Sequence, residues 1–254
     1  MDENRSVESE AHALHDAASS EGVPLRLIGS IAVRHRSPQH VYLMSVLGRR
    51  GPRDVDLVTY ARHEKSVEGL FVARGYLLDP AVRHSREWGI KRLIFLHPSN
   101  GTKVDVFLDE LVMAHTIDFV GRLELDAPTV TLADLLLSKL QIHEITENDL
   151  IDLAVMLAEH DPAEGADLDL GRVVSVLADD WGFQHTAEAN LAKLLAAAMG
   201  RWPDLPDAVR ERVSDRVRGM EQALEVSPKS RRWKLRARVG ERLRWYEEVG
   251  EVER

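Results

Sequence analysis

Asp54 and Asp56 stand two residues apart in RDVDLV, downstream of a hydrophobic run, LRLIGSIAVR, that breaks on Gly29-Ser30. Side chains alternate along an extended strand, so acids at i and i+2 share one face while Val55 and Leu57 turn to the other. Such a pair suits a hard divalent cation such as Mg2+ or Mn2+; Mg2+ takes oxygen ligands at about 2.0 to 2.1 Å and commonly combines one or two carboxylates with substrate phosphates. Gly29 permits close backbone approach, and Ser30 can cap a following helix whose free amides favour an anion. A third acid, Asp105 in KVDVFLDEL, alternates with Val104 and Val106. With its strand beside that of Asp54, three carboxylates would converge. Two divalent ions about 3.5 to 4 Å apart could then neutralise them and clamp both oxygens of an in-line displacement. Asp105 could also accept the proton of an attacking hydroxyl.

Each residue also has an ordinary explanation. Asp-x-Asp arises by chance in an acid-rich chain, Ser30 can be a plain N-cap, and Asp109 is expected as a solvent residue at a strand end. The combination on successive predicted strands carries the reading. Among the nearby arginines, Arg34, Arg36, Arg49 and Arg50 are expected mostly as surface charge, whereas Arg53 and Arg92 flank the presumed site strands. No HExxH, GxxxxGK[ST], dinucleotide fingerprint or GxSxG occurs. His12 and His15 share a helix face but lack a third ligand.

The elements that must position these residues follow from periodicity. Val7, Ala11, Leu14 and Ala18 have helical spacing before Gly22-Val23-Pro24. Leu25 to Ile28 is a short apolar strand, and IAVRHR a helix ending near Ser37-Pro38. The segment from Pro38 to Pro52 has no clear pattern, and GRRGP within it reads as a basic turn. DVDLVTY resumes as a strand, EKSVEGLFVARGY as a helix ending at Gly75, and KRLIFLHP with TKVDVFLDEL as a hairpin around Ser-Asn-Gly. Beyond about residue 128 the pattern is helical, beginning with TLADLLLSKLQIHEI, where Thr131 and Asp134 form a loose capping box, and ENDLIDLAVMLAEH. The fold expected is α/β (α+β): a mixed-sheet domain over 1–128 followed by an α-helical domain over 129–254.

The chain has 254 residues, no cysteine and a formal net charge of -9. Disulfides, thiolate nucleophiles and thiolate zinc sites are thereby excluded. The N-terminal stretch is acidic and polar, and no apolar run nears the ~20 residues that span a bilayer, so a cytoplasmic protein without membrane association is expected. The net charge argues against a whole-molecule polyanion binder. Locally, however, Lys229 to Arg244 is densely basic and interleaves Trp233 with arginines, as Trp245 and Tyr246 do just beyond. That segment is expected as an amphipathic closing helix with Leu235, Val239, Leu243 and Tyr246 packed inward, and RNA binding through phosphates and stacking is the alternative.

A strand ending in Gly-Ser, a helix, a strand bearing Asp-x-Asp and a later strand bearing one more Asp resemble the nucleotidyltransferase superfamily with the DNA polymerase beta-like core. DLLLSKLQIHEITENDLIDL resembles the Lys-then-Asp helical segment of its AbiEii-type toxin branch. The likeness covers roughly residues 24 to 160. It implies transfer of a nucleoside monophosphate from an NTP, with Asp54, Asp56 and Asp105 holding Mg2+ or Mn2+, and with Gly29, Ser30, Arg53 and Lys139 contacting the nucleotide. Asp149 or Asp152 would position Lys139, which could equally be a solvated lysine on a helix face. NTP and metal would lie between the two domains. Because the stretch from Gly-Ser to the first Asp exceeds the usual spacing of the family, Pro38 to Pro52 is expected to be an insertion. The acceptor implied is an RNA, with a tRNA end among the candidates, and an antitoxin protein is a further partner. A small-molecule hydroxyl acceptor of the antibiotic type and a catalytically silent binding module are the alternatives.

Overall fold

A computed structural model describes residues 6–80 and 91–248. It is a mixed α/β structure dividing into two compact units, one of 1–35, 51–111 and 118–131, the other of 36–50, 112–117 and 132–254. The units are not two consecutive lengths of chain. The segment 36–50, in the patternless stretch, belongs to the second unit. No helix among the described residues is long and apolar enough to cross a membrane.

The first unit is built on a five-stranded sheet in the order β1-β2-β5-β4-β3, with β1 Arg26–Ile28, β2 Asp54–Thr59, β3 Leu77–Leu78, β4 Arg92–Leu96 and β5 Lys103–Leu108. β2 and β5 run parallel, and the other pairs are antiparallel. Val55, Leu57, Val104, Val106, Leu93 and Phe95 are all buried, and alternation places them on one face. Helix α1, Val7–Ser20, buries Ala11, Leu14 and Ala18, the stripe its spacing predicts. The helix Glu64–Ala73 buries Val67 and Phe71, and the Phe71 ring lies 4.5 Å from that of Phe95. Each such aliphatic or aromatic side chain contributes about 1.5 to 3 kcal/mol by leaving water. The polar members of β2, β4 and β5 share the other face, together with the buried Val58, Ile94 and Phe107.

The hairpin of β4 and β5 forms as expected, closed by Gly101 at φ 70. Asp109 follows β5 at φ 63, donating its N–H to Thr59 O and accepting from Ala61 N through Oδ1. It fastens the strand end rather than simply facing solvent.

The second unit is mainly helical, with a short parallel strand pair, Pro162–Ala163 and Leu168–Asp169. Its helix Leu132–Leu140 is buried along its whole length, as is most of the helix Glu147–Glu159. Segment 36–50 is pinned to this unit by polar contacts. Glu159 accepts from Gln39 N and His40 N, both at 3.0 Å, and Arg36 reaches Asp167 at 2.6 Å.

Candidate active site

β1 lies antiparallel to β2 with Ile28 opposite Asp56, and β5 lies parallel to β2 with Asp105 opposite Asp56 and Lys103 opposite Asp54. Gly29 follows Ile28 directly and opens helix α2, Gly29–Arg36. The Gly-Ser corner therefore adjoins the Asp-x-Asp strand despite the long stretch of chain between them. Gly29 has φ 70, and a Cβ there would stand 2.5 Å from Asp56 Oδ2. Two requirements for glycine coincide at one position: a left-handed backbone and contact with a carboxylate. The positive end of α2 beside Asp56 is favourable for that charge. Ser30 is half-buried in the first turn, Asp54 is exposed and Asp56 half-buried.

Asp105 is 3 % exposed. Its Oδ2 accepts from Arg92 at 2.8 Å and Lys103 at 3.1 Å, while Oδ1 is buried with no hydrogen-bond partner among the described residues. The Arg92 guanidinium also lies over the Phe107 ring at 5.1 Å. Two cations thus balance a carboxylate expected to require metals. No group of three or more His, Asp or Glu side chains is gathered for metal ligation among the described residues, so the expected convergence of three acids is not formed as such. The donors nonetheless fit a divalent cation in part. Asp54 and Asp56 share a face, and Asp105 offers an unpartnered oxygen across the ladder. Arg53 is exposed.

Lys139, in the second unit, is not a solvated lysine. Its Nζ contacts Asp149 Oδ1 at 2.8 Å and Asp152 Oδ2 at 2.9 Å. Asp152 is fully buried and also receives Arg49, from Nε at 2.5 Å and Nη2 at 2.9 Å. Two cations face two carboxylates, so the cluster is balanced. Burial alone would lower the Lys139 pKa, but the charges of Asp152 and Asp149 and their hydrogen bonds outweigh it and hold the ammonium above the ordinary lysine range. Burial likewise opposes ionisation of Asp149, yet Lys139 and Thr146 keep its carboxyl below the ordinary range. Asp149 also closes a capping box with Thr146. The burial of Arg49, whose side chain is 7 % exposed, corrects its expected place as surface charge. The available clue is a basic residue in an otherwise apolar and turn-rich stretch, facing an excess of acids in a predicted helix. Of the other arginines, Arg34 pairs with Glu8, while Arg50 is exposed.

The C-terminal helix Arg231–Val239 buries none of its residues, and Leu235 and Leu243 are 62 % and 65 % exposed. This corrects the expected inward packing of those leucines. Aromatic rings anchor the segment instead. Trp233 donates to Gln184 Oε1, Trp245 donates to Thr186 Oγ1, and Tyr246 stacks on His143 at 3.5 Å. An indole or phenol buries more area than a leucine and can satisfy its polar tip, which gives it the advantage at a half-open surface. Arg231, Lys234, Arg238 and Arg242 are all exposed and make no ion pair among the described residues. Comparison with models of protein families and with curated proteins finds no match for this chain.

Proposed function

We propose that this protein is a metal-dependent nucleotidyltransferase that moves a nucleoside monophosphate from an NTP to a hydroxyl, with an RNA end as the leading acceptor. The observation that carries the reading is the register that sets Ile28 and Asp105 opposite Asp56, with Gly29 against its carboxylate. Asp54, Asp56 and Asp105 would hold Mg2+ or Mn2+, whose contribution there is charge neutralisation on the triphosphate and the departing pyrophosphate. Gly29 and Ser30, at the start of α2, would bind phosphate oxygens through free amides and the hydroxyl. Asp105 would accept the proton of the acceptor hydroxyl as the new P–O bond forms and the bond to pyrophosphate breaks. Arg92 keeps that carboxylate oriented. The exposed cations of the C-terminal helix support RNA over a small molecule, because cations without an ion pair among the described residues complement a phosphate backbone.

A second reading, a silent nucleotide-fold binding module, is favoured by the neutralisation of Asp105 by Arg92 and Lys103. One experiment separates the two. Protein incubated with Mg2+ and each α-labelled NTP should label total RNA, and Asp56→Asn should abolish labelling. Label transfer persisting in Asp56→Asn would remove the site assignment, and no transfer to RNA or to a small-molecule pool would favour the silent module.

A further inference from the structure

Resting on the nucleotidyltransferase reading, we infer that Lys103 competes with the divalent cation for Asp105: it pairs with the carboxylate and is released to the triphosphate when the cation binds. Arg92 and Lys103 both contact Asp105 Oδ2, but they are not equivalent. Arg92 is the fixed partner. Its side chain is 31 % exposed, lies over Phe107, and emerges from β4, so it has a second anchor besides the carboxylate. Lys103 is 41 % exposed, and among the described residues Asp105 is its ion-pair partner.

The register explains where Lys103 can go. It stands opposite Asp54 on β2, on the polar face that also carries Asp56. A cation entering among Asp54, Asp56 and Asp105 would place a second positive charge beside the Lys103 ammonium, and the flexible lysine stem gives way more readily than the stacked guanidinium. Oδ2 would pass from Lys103 to the cation while keeping its contact with Arg92. The freed ammonium would face a triphosphate on the same face of the sheet. No bond is made or broken in this exchange, and charge balance at Asp105 is kept.

The inference predicts two effects of opposite sign. In the full chain, Lys103→Gln should bind Mn2+ alone more tightly, by about fivefold, because a competing cation has been removed. The same variant should bind a non-hydrolysable NTP with Mn2+ more weakly. Free Mn2+ is read by its electron paramagnetic resonance signal and nucleotide by calorimetry. Lys103→Arg, which retains the charge, should keep Mn2+ affinity near that of the unmodified protein and show that the polar face tolerates replacement. Unmodified protein that binds Mn2+ with no tightening in Lys103→Gln would overturn the inference and leave the metal site standing. Absence of Mn2+ binding in both would remove the metal site and the inference together.

Discussion

Gly29 and Asp56 lie so close that a methyl group on the glycine would come within 2.5 Å of the carboxylate oxygen. Gly22 provides a control, since it has φ 72 and a methyl group there would meet nothing within 4 Å. Gly22→Ala should therefore cost only the left-handed backbone strain, about 1 kcal/mol in urea unfolding. Gly29→Ala carries the same strain and also forces Asp56 to rotate. Its expected cost is about 2 kcal/mol, together with loss of Mn2+ binding that Gly22→Ala retains. Equal Mn2+ affinities in the two variants would show that the approach of Gly29 to Asp56 has no part in holding a cation.

The Lys139, Asp149, Asp152 and Arg49 cluster should be sensitive to removal of one charge. Asp152 is fully buried and accepts from both cations, so Asp152→Asn strips Arg49 of its carboxylate and leaves Lys139 with Asp149, which also holds Thr146. A loss of about 3 to 5 kcal/mol is expected from urea unfolding. Asp215→Asn, which breaks the exposed pair with Arg218, should change stability by well under 1 kcal/mol. Comparable effects of the two substitutions would mean that the buried cluster is solvated in solution.

Much of the fold is legible in the sequence because its elements obey simple periods. Ala11, Leu14 and Ala18 mark a helix stripe, and the alternation of Asp54, Val55, Asp56 and Leu57 sets both the core face and the acidic face of one strand. The partners of Asp105 are less legible. Arg92 stands out by its position beside a site strand, but its contact with Asp105 depends on the β4 to β5 register, and nothing in the local sequence distinguishes Lys103. Strand register is set by long-range packing and turn geometry, which a short alternating segment does not contain. Arg49 is misleading for a related reason. GRRGP has turn composition, yet Asp152, far along the chain, draws one of its arginines inward. In the C-terminal helix the leucine spacing is helical, but the aromatic residues take the contacts.

If the exposed cations of the C-terminal helix hold RNA phosphates, each should contribute to the release of counterions. Arg238→Gln combined with Arg242→Gln, the latter in the 3-10 turn Gly240–Arg242 just after the helix, should reduce the slope of log Kd against log salt for RNA by about 1.4 to 1.8, with little effect on folding because both side chains are exposed. Fluorescence anisotropy with a labelled RNA across a salt series measures it. An unchanged slope would leave the helix as a surface element held by its aromatic anchors.

His115 should make the stability of the second unit depend on pH. It is buried, with its ring stacked on Phe183 at 4.9 Å, Nε2 2.8 Å from Thr186 Oγ1, and its backbone N–H donating to Gln141 Oε1. Burial pushes its pKa down to about 4, with Asp180 opposing that shift and His143 reinforcing it. The unfolded chain, with an ordinary histidine near pH 6.5, binds the proton more readily than the folded one. Between those values the unfolded state therefore gains protons relative to the folded state, and stability falls as pH is lowered. The contribution is fully present above about pH 6.5 and is progressively lost toward pH 4, by up to about 3 kcal/mol. Urea unfolding followed across this range should show the slope in the unmodified protein, and His115→Gln should flatten it, since an amide can retain the Thr186 contact without titrating. A slope that survives His115→Gln would assign the acid sensitivity to other groups, among them His143 and His160, whose pKa values burial also lowers.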